Sequence, residues 1–297
     1  MSPSRSRYTG SYPYACSMVY DLRNYTDETM WGPFLDQQAT VDWEKMEAVM
    51  IVLQYHLHGH NNYVMQPPWL GASVDSFKSV LLPKIGTASL PSNPDDPYDV
   101  TGSWIRVVCF LDYQELSHYN FGHDDILPEE PRGSLYKPQS IRLIMMKLQV
   151  TKIEEADSGD GQVAPVVYFE GTSRSLHIPQ NANANSNIRG SVRQTSEGEI
   201  RWTTYSIYNG EERWKSEGIQ VGGPRSSGSV MGHWFDRDMD PHGPVGPTMF
   251  WKVSNNINDL PGDELVVRMG AWTADYESEG EWEENGEDDE GGLVIYT

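Results

Sequence analysis

Hydrophobic positions follow two different rhythms along this chain. In "TVDWEKMEAVMIVLQYHLHG", residues 40–59, Met46, Val49, Met50, Leu53 and Leu57 recur at offsets of three and four, which places them on one face of an α-helix. Thr40 or Asp42 stands ready to cap the start and Gly59 the end, so the spacing predicts a helix over about 41–58. A helix with an apolar stripe has to dock on something. The sheet that follows is the expected partner, a preceding module the other option. The forty residues before this helix read as polar, aromatic and irregular. Residues 60–101, with "QPPWLGAS" and "LPSNPDDPYD", have the Pro, Gly, Asn and Ser content of a long surface connection.

From residue 102 the rhythm shortens to runs rich in Val, Ile, Trp and Tyr between turn residues. Nine strands are expected, over 103–111, 140–154, 164–171, 187–195, 199–208, 211–221, 228–236, 247–253 and 264–272. No helical pattern separates them, so the fold class is all-β and mainly antiparallel, a closed sandwich or a barrel. Within it, "TSEGE" and "YNGE" are turn signals, and Asn209-Gly210 is the pair a type I′ hairpin asks for. Residues 187–223 therefore form a three-stranded meander. In its middle strand Ile200, Trp202, Thr204, Ser206 and Tyr208 share one face; Arg201, Thr203, Tyr205 and Ile207 share the other. Neither face is wholly apolar. A closed barrel with a partly polar lumen accounts for that, as would an edge position. Glycines in "EGIQVGGPRSSGSVMGHWFD" suit the bends of barrel corners.

Composition then narrows the partners. The formal charge is −21, and nearly half of it comes from ten carboxylates in "DYESEGEWEENGEDDE". Nucleic acid and anionic membrane both reward a basic face, so neither is expected as a partner. The parts expected are residues 1–101 with one helix, a β-barrel recognition domain over 102–273, and an acidic, disordered tail over 274–297. Cys16 and Cys109 have neither metal nor disulfide-framework spacing. Cys109 lies in the apolar run "WIRVVCFL", where a buried free thiol is expected, which suits cytosol or nucleus. The start "MSPSRSRYTGSYPY" lacks the apolar segment of a signal peptide, and no stretch reaches the roughly 18 apolar residues of a membrane span.

Candidate chemistry is sparse. His56, His58 and His60 in "HLHGH" would share a face on a strand and could hold zinc, but at a helix end they point apart. "DRDMDPHG" begins like a calcium loop, yet Pro241 and Pro247 stand where Gly and Glu are required. No nucleophile elbow, phosphate loop or dinucleotide fingerprint is present. No metal, cofactor or catalytic residue is expected, and the chain reads as a non-enzyme. The aromatic-basic pairs Arg201-Trp202 and Arg213-Trp214 could stack across adjacent strands. A peptide- or ligand-binding mouth is accordingly drawn from Trp202, Arg213, Trp214, His233 and Trp234. A wall merely stiffened by these pairs is the plainer reading.

Several long blocks, in one order, carry a resemblance. "YDLRNYTDETMWGPF", "VDWEKMEAVMIVL", "YDVTGSWIRVVCFLDYQELSHYNF", "SIRLIMMKLQVTKIE", "GEIRWTTYSIYNGEERWKSEGIQVGG" and "SGSVMGHWFDRDMDPHGPVGPTMFWKV" are similar to the region that follows the F-box in fungal F-box-domain proteins. The helical F-box, which grips the adaptor of a cullin ubiquitin ligase, is not found. Its only echo, "ILPEEP", runs into "RGSLYKP", whose Gly and Pro oppose a helix. The resemblance implies a lipocalin-like barrel and a substrate-receptor role, with a protein or peptide as partner. A cullin-ligase adaptor joins the partners only if an F-box lies upstream. A small-molecule-binding lipocalin-like barrel is the alternative.

Overall fold

Alternating side chains in the strands give each strand two faces, and the chain uses both to build two cores. The computed structural model describes residues 5–59, 94–122, 130, 132–137, 139–155, 164–176, 185–222 and 229–258. Eight strands lie within them: β1 (Gly102–Phe110), β2 (Ser140–Glu154), β3 (Val166–Ser175), β4 (Asn185–Gln194), β5 (Ile200–Tyr208), β6 (Glu211–Gln220), β7 (Val230–Asp236) and β8 (Val245–Ser254). Each pairs antiparallel with the next, and β8 returns to β1, so the sheet is a closed up-and-down barrel. Closure leaves no unpaired edge. The ninth expected strand, 264–272, and the acidic tail lie outside the described residues.

The expected hairpin forms with Asn209 at φ 53° and Gly210 at φ 86°. Both centres are positive, as a type I′ turn demands, and glycine adopts that conformation without steric cost.

One core fills the lower half of the lumen. Trp104, Met146, Leu148, Val167, Phe169, Ile188, Val192, Ile200, Trp202, Val230 and Phe250 are all buried there. The segment leading into β1 closes that end. Its Tyr98 and Val100 join the core, Tyr98 donates to the Pro165 carbonyl at 2.8 Å, and Trp104 Nε1 donates to the Val100 carbonyl at 2.8 Å. Asp96 holds the turn by accepting from the Val100 and Thr101 amides. Lys252 pairs with Asp99 at 2.7 Å beside it.

The second core lies on the outside, where helices cover one side of the barrel. The predicted helix spans Trp43–Gly59; with the N-terminal helix counted as α1, it is α2. It packs on β7 and β8. Met46, Val49, Leu53 and Leu57 are buried as the stripe required, whereas Met50 is exposed and Val52 takes its place. The expectation of an irregular first forty residues is overturned. Helix α1 runs Arg5–Tyr20 despite Pro13 and packs against α2. Its buried positions Tyr12, Ala15, Cys16, Val19 and Tyr20 follow the 3-4 spacing of one helix face. Two of them are tyrosines that bury their hydroxyls in hydrogen bonds, so a reading by hydropathy passes over the stripe. Gln139 accepts from the Tyr20 hydroxyl at 2.7 Å and donates to Tyr12 Oη at 2.9 Å.

The absence of helix after residue 102 also fails once. Helix α3, Tyr113–Phe121, lies between β1 and β2, capped by Asp112, whose carboxylate accepts from the Gln114 and Glu115 amides. Its Asn120 ties it to α1, accepting from the Leu22 amide and donating to the Tyr20 carbonyl.

Residues 25–41 form a strap over the outer face of β5, β6 and β7. Trp31 packs on Phe235 at 5.5 Å between ring centres, and the Arg201 guanidinium lies over Phe34 at 5.0 Å. Beneath the strap Glu217, fully buried, accepts from Arg201 Nε at 2.8 Å and Thr203 Oγ1 at 2.9 Å. Lys215 Nζ sits 3.0 Å from its other oxygen as an ion pair, outside hydrogen-bond geometry.

Candidate functional site

Arg106 on β1 points into the lumen, alternating with Ile105 and Val107, which face the helices. It marks the height at which the lumen changes character. Below it are the aromatic rings just described. Above it, inward-facing positions on five strands carry hydroxyls, beside Val108 on β1 and Arg142 on β2: Ser173 on β3, Ser186 on β4, Thr204 and Ser206 on β5, Ser216 on β6 and Thr248 on β8. This explains the mixed face of β5, where Ile200 and Trp202 belong to the apolar half and Thr204 and Ser206 to the polar half.

The guanidinium reaches across the barrel. Arg106 Nε donates to Thr248 Oγ1 at 2.9 Å, and Nη2 donates to Ser216 Oγ at 3.1 Å. Thr248 Oγ1 donates to the Val107 carbonyl, and Ser216 is hydrogen-bonded to Thr204. Burial pulls the Arg106 pKa down to about 10, opposed by the nearby Tyr208 phenol. The side chain therefore keeps its charge at neutral pH, inside the barrel and 5% exposed. Among the described residues no carboxylate pairs with it. Ser186 Oγ is buried without a hydrogen-bond partner.

At the rim of this half stand two of the predicted tryptophans. Trp214 and Trp234 meet edge to face, 5.3 Å between ring centres, and both are half-buried. Trp234 Nε1 crosses β8 to donate to the Cys109 carbonyl at 2.9 Å. It can do so because Gly246 lies in between; a Cβ there would stand 2.7 Å from that nitrogen. Arg213, at a bulge in β6, is exposed with its guanidinium 5.1 Å from the Trp214 ring centre. The cation–π contact is thus between sequence neighbours, not across strands. Arg201 takes Phe34 as its ring, not a tryptophan.

The other two predicted residues lie elsewhere. Trp202 is 1% exposed at the centre of the lower lumen, so it holds the wall and does not line the mouth. His233 faces outward beneath the helices, with its ring 5.2 Å from that of Tyr25. It alternates with Trp234, so the two adjacent residues point to opposite sides of the sheet. The mouth unites Arg213, Trp214 and Trp234 and excludes Trp202 and His233. Sequence reasoning missed Arg106 and its hydroxyls. Their signal was the polar half of the β5 face, together with one Arg in the otherwise apolar run "WIRVVCFL".

His233 makes a measurable pH dependence. Burial, with the Lys45 charge nearby, drives its pKa from 6.5 down to about 3. The unfolded chain thus takes up the proton first. The contribution of the neutral ring is fully present above pH 6.5 and declines as pH falls from there toward 3. At pH 5 about 2 kcal/mol should be lost. Urea unfolding at pH 7.5 and pH 5 should show that difference shrinking by about this amount in His233→Leu; an unchanged difference would refute the assignment.

Three further features resolve plainly. His56 is buried and hydrogen-bonded to Tyr12 Oη at 2.9 Å, and the described residues hold no His, Cys, Asp or Glu group suited to a metal. The side chains of His58 and His60 lie outside the described residues. Asp236 and Asp240 accept from the Asp238 and His242 amides as turn-formers. Cys16 and Cys109 are free and buried, and burial raises the pKa of both thiols, Cys16 to about 12. On the outer face of β2 to β5 lies a groove of about 590 Å³, lined by Lys147, Glu170, Thr172 and Arg189 together with Ile207 and Ile257.

Fold and site together define an eight-stranded antiparallel barrel, packed and plugged at one end and polar with a tryptophan rim at the other. Compared with protein-family models, curated proteins and solved structures, the chain matches none of them. Among the described residues no helix is long and apolar enough to cross a membrane.

Proposed function

We propose that the chain is a non-catalytic recognition module that binds an extended segment of another protein at the rim formed by Trp214, Trp234 and Arg213. The observation that supports this is the pair of half-exposed tryptophans, fixed edge to face and backed by an arginine. Rigid aromatic rings supply contact area at little entropic cost, and Trp and Arg dominate the energetic centres of protein interfaces. The resemblance to fungal F-box substrate receptors gives the partner its class, a protein or peptide substrate. An adaptor of a cullin ligase would be a second partner only through an F-box upstream. Two reduced, buried thiols suit a cytoplasmic or nuclear location.

Selection from a displayed random-peptide library should yield a consensus sequence. Trp214→Ala should weaken the selected peptide by about 2 kcal/mol, roughly 30-fold. The reading fails if no consensus emerges, or if the peptide binds Trp214→Ala and Trp234→Ala as tightly as the parent. The small-molecule reading has one observation in its favour, the hydroxyl-lined half of the lumen.

A further inference from the structure

We propose that the polar half of the lumen is an oxyanion site, in which Arg106 receives a carboxylate or phosphate group that enters through the tryptophan rim. A cation withdrawn from water is retained in a fold when something compensates it. Lys252 and Arg201 follow that rule, each paired to a carboxylate. Arg106 does not. Its described partners, Thr248 and Ser216, are neutral hydroxyls that use one N–H each. Nη1 makes no hydrogen bond to a described residue, so part of the fork is left to donate. A planar guanidinium with free N–H groups is the side chain best matched to an oxyanion.

The surroundings fit the same ligand. Ser186 offers a buried hydroxyl with no partner, on the inward-facing side of β4 and opposite Ser173 in register. Tyr208 stands on the same inward face of β5 as Thr204 and Ser206. Trp214 and Trp234 above would pack against whatever apolar body carries the anion. A chain of charge −21 repels anions in general, so affinity for one would mark this site and not the surface at large.

The inference is independent of the peptide reading, because it is tested with bare anions on the full chain. Acetate, inorganic phosphate and phenylacetate would be titrated at constant ionic strength against chloride, following the Arg106 Nε–Hε NMR resonance and the heat of binding. A saturable shift of that resonance is expected with at least one anion, and Arg106→Leu should lower the affinity at least roughly tenfold. Ser186→Ala, which keeps the arginine, should weaken binding by a smaller factor. Phenylacetate binding more tightly than acetate would identify the head of an organic ligand; equal binding would identify a free anion. Either result upholds the site. No saturable shift with any of the three overturns it, as does equal affinity in Arg106→Leu. Should that variant fail to fold, the wild-type resonance decides alone.

Discussion

Trp202→Ala should lower the stability of the barrel by about 3–5 kcal/mol. The ring sits 5.2 Å from Trp104 and 5.5 Å from both Phe169 and Phe250, so it is the residue through which β1, β3, β5 and β8 meet. Alanine would leave a void that these rings, fixed on three strands of a closed sheet, are poorly able to fill. A further loss comes from Gln220, 2% exposed, whose Oε1 accepts the indole N–H at 3.0 Å and would be stranded. Trp202→Phe separates the two effects, because it keeps most of the ring and removes only the donor. Urea unfolding should therefore rank wild type above Phe and Phe well above Ala. A loss below about 1 kcal/mol for Ala would mean that the lumen is not packed around this ring.

That role was half legible in the sequence. The turn-punctuated strands fixed the class of fold, and the mixed β5 face pointed to a lumen that is polar in part. What the sequence does not carry is the height of each residue along the barrel axis. Trp202 and Trp214 look alike as aromatic-basic neighbours, yet the register puts one in the packed half and the other at the rim. His233 and Trp234 are adjacent and land on opposite faces, a consequence of alternation that a linear list of candidates ignores. Arg106 was hidden for another reason. In a run as apolar as "WIRVVCFL" a single arginine reads as a break in the pattern, and only closure of β1 onto β8 brings Thr248 within reach of it. The helices were harder still. Helix α1 contains Pro13 and a low density of aliphatic residues; it is held by tyrosines buried against α2 and by Gln139, which is 119 residues from Tyr20. Local propensity cannot report a contact made at that distance.

Glu217→Ala should cost a comparable amount, about 3–5 kcal/mol, for the opposite kind of reason. Removing this fully buried side chain leaves a void of its own, but the larger cost is electrostatic. It leaves Arg201 and Lys215, whose side chains are 14% and 15% exposed, facing each other with nothing negative between them. Their contacts with Phe34 and Phe235 are too weak to replace an ion pair. The strap is the element that should respond first, because Arg201, which loses its carboxylate partner, stacks on Phe34. Amide exchange at Trp31 to Leu35 should accelerate in Glu217→Ala more than exchange in the lumen strands. Replacing the whole cluster tests the cause. Arg201→Met, Lys215→Met and Glu217→Leu together should recover most of the loss, since a buried ion cluster contributes little over well-packed apolar groups of similar size. If the triple variant stays as unstable as Glu217→Ala, repulsion between the two stranded cations is not what destabilises it. The carboxylate would then be needed for its own hydrogen bond with Thr203.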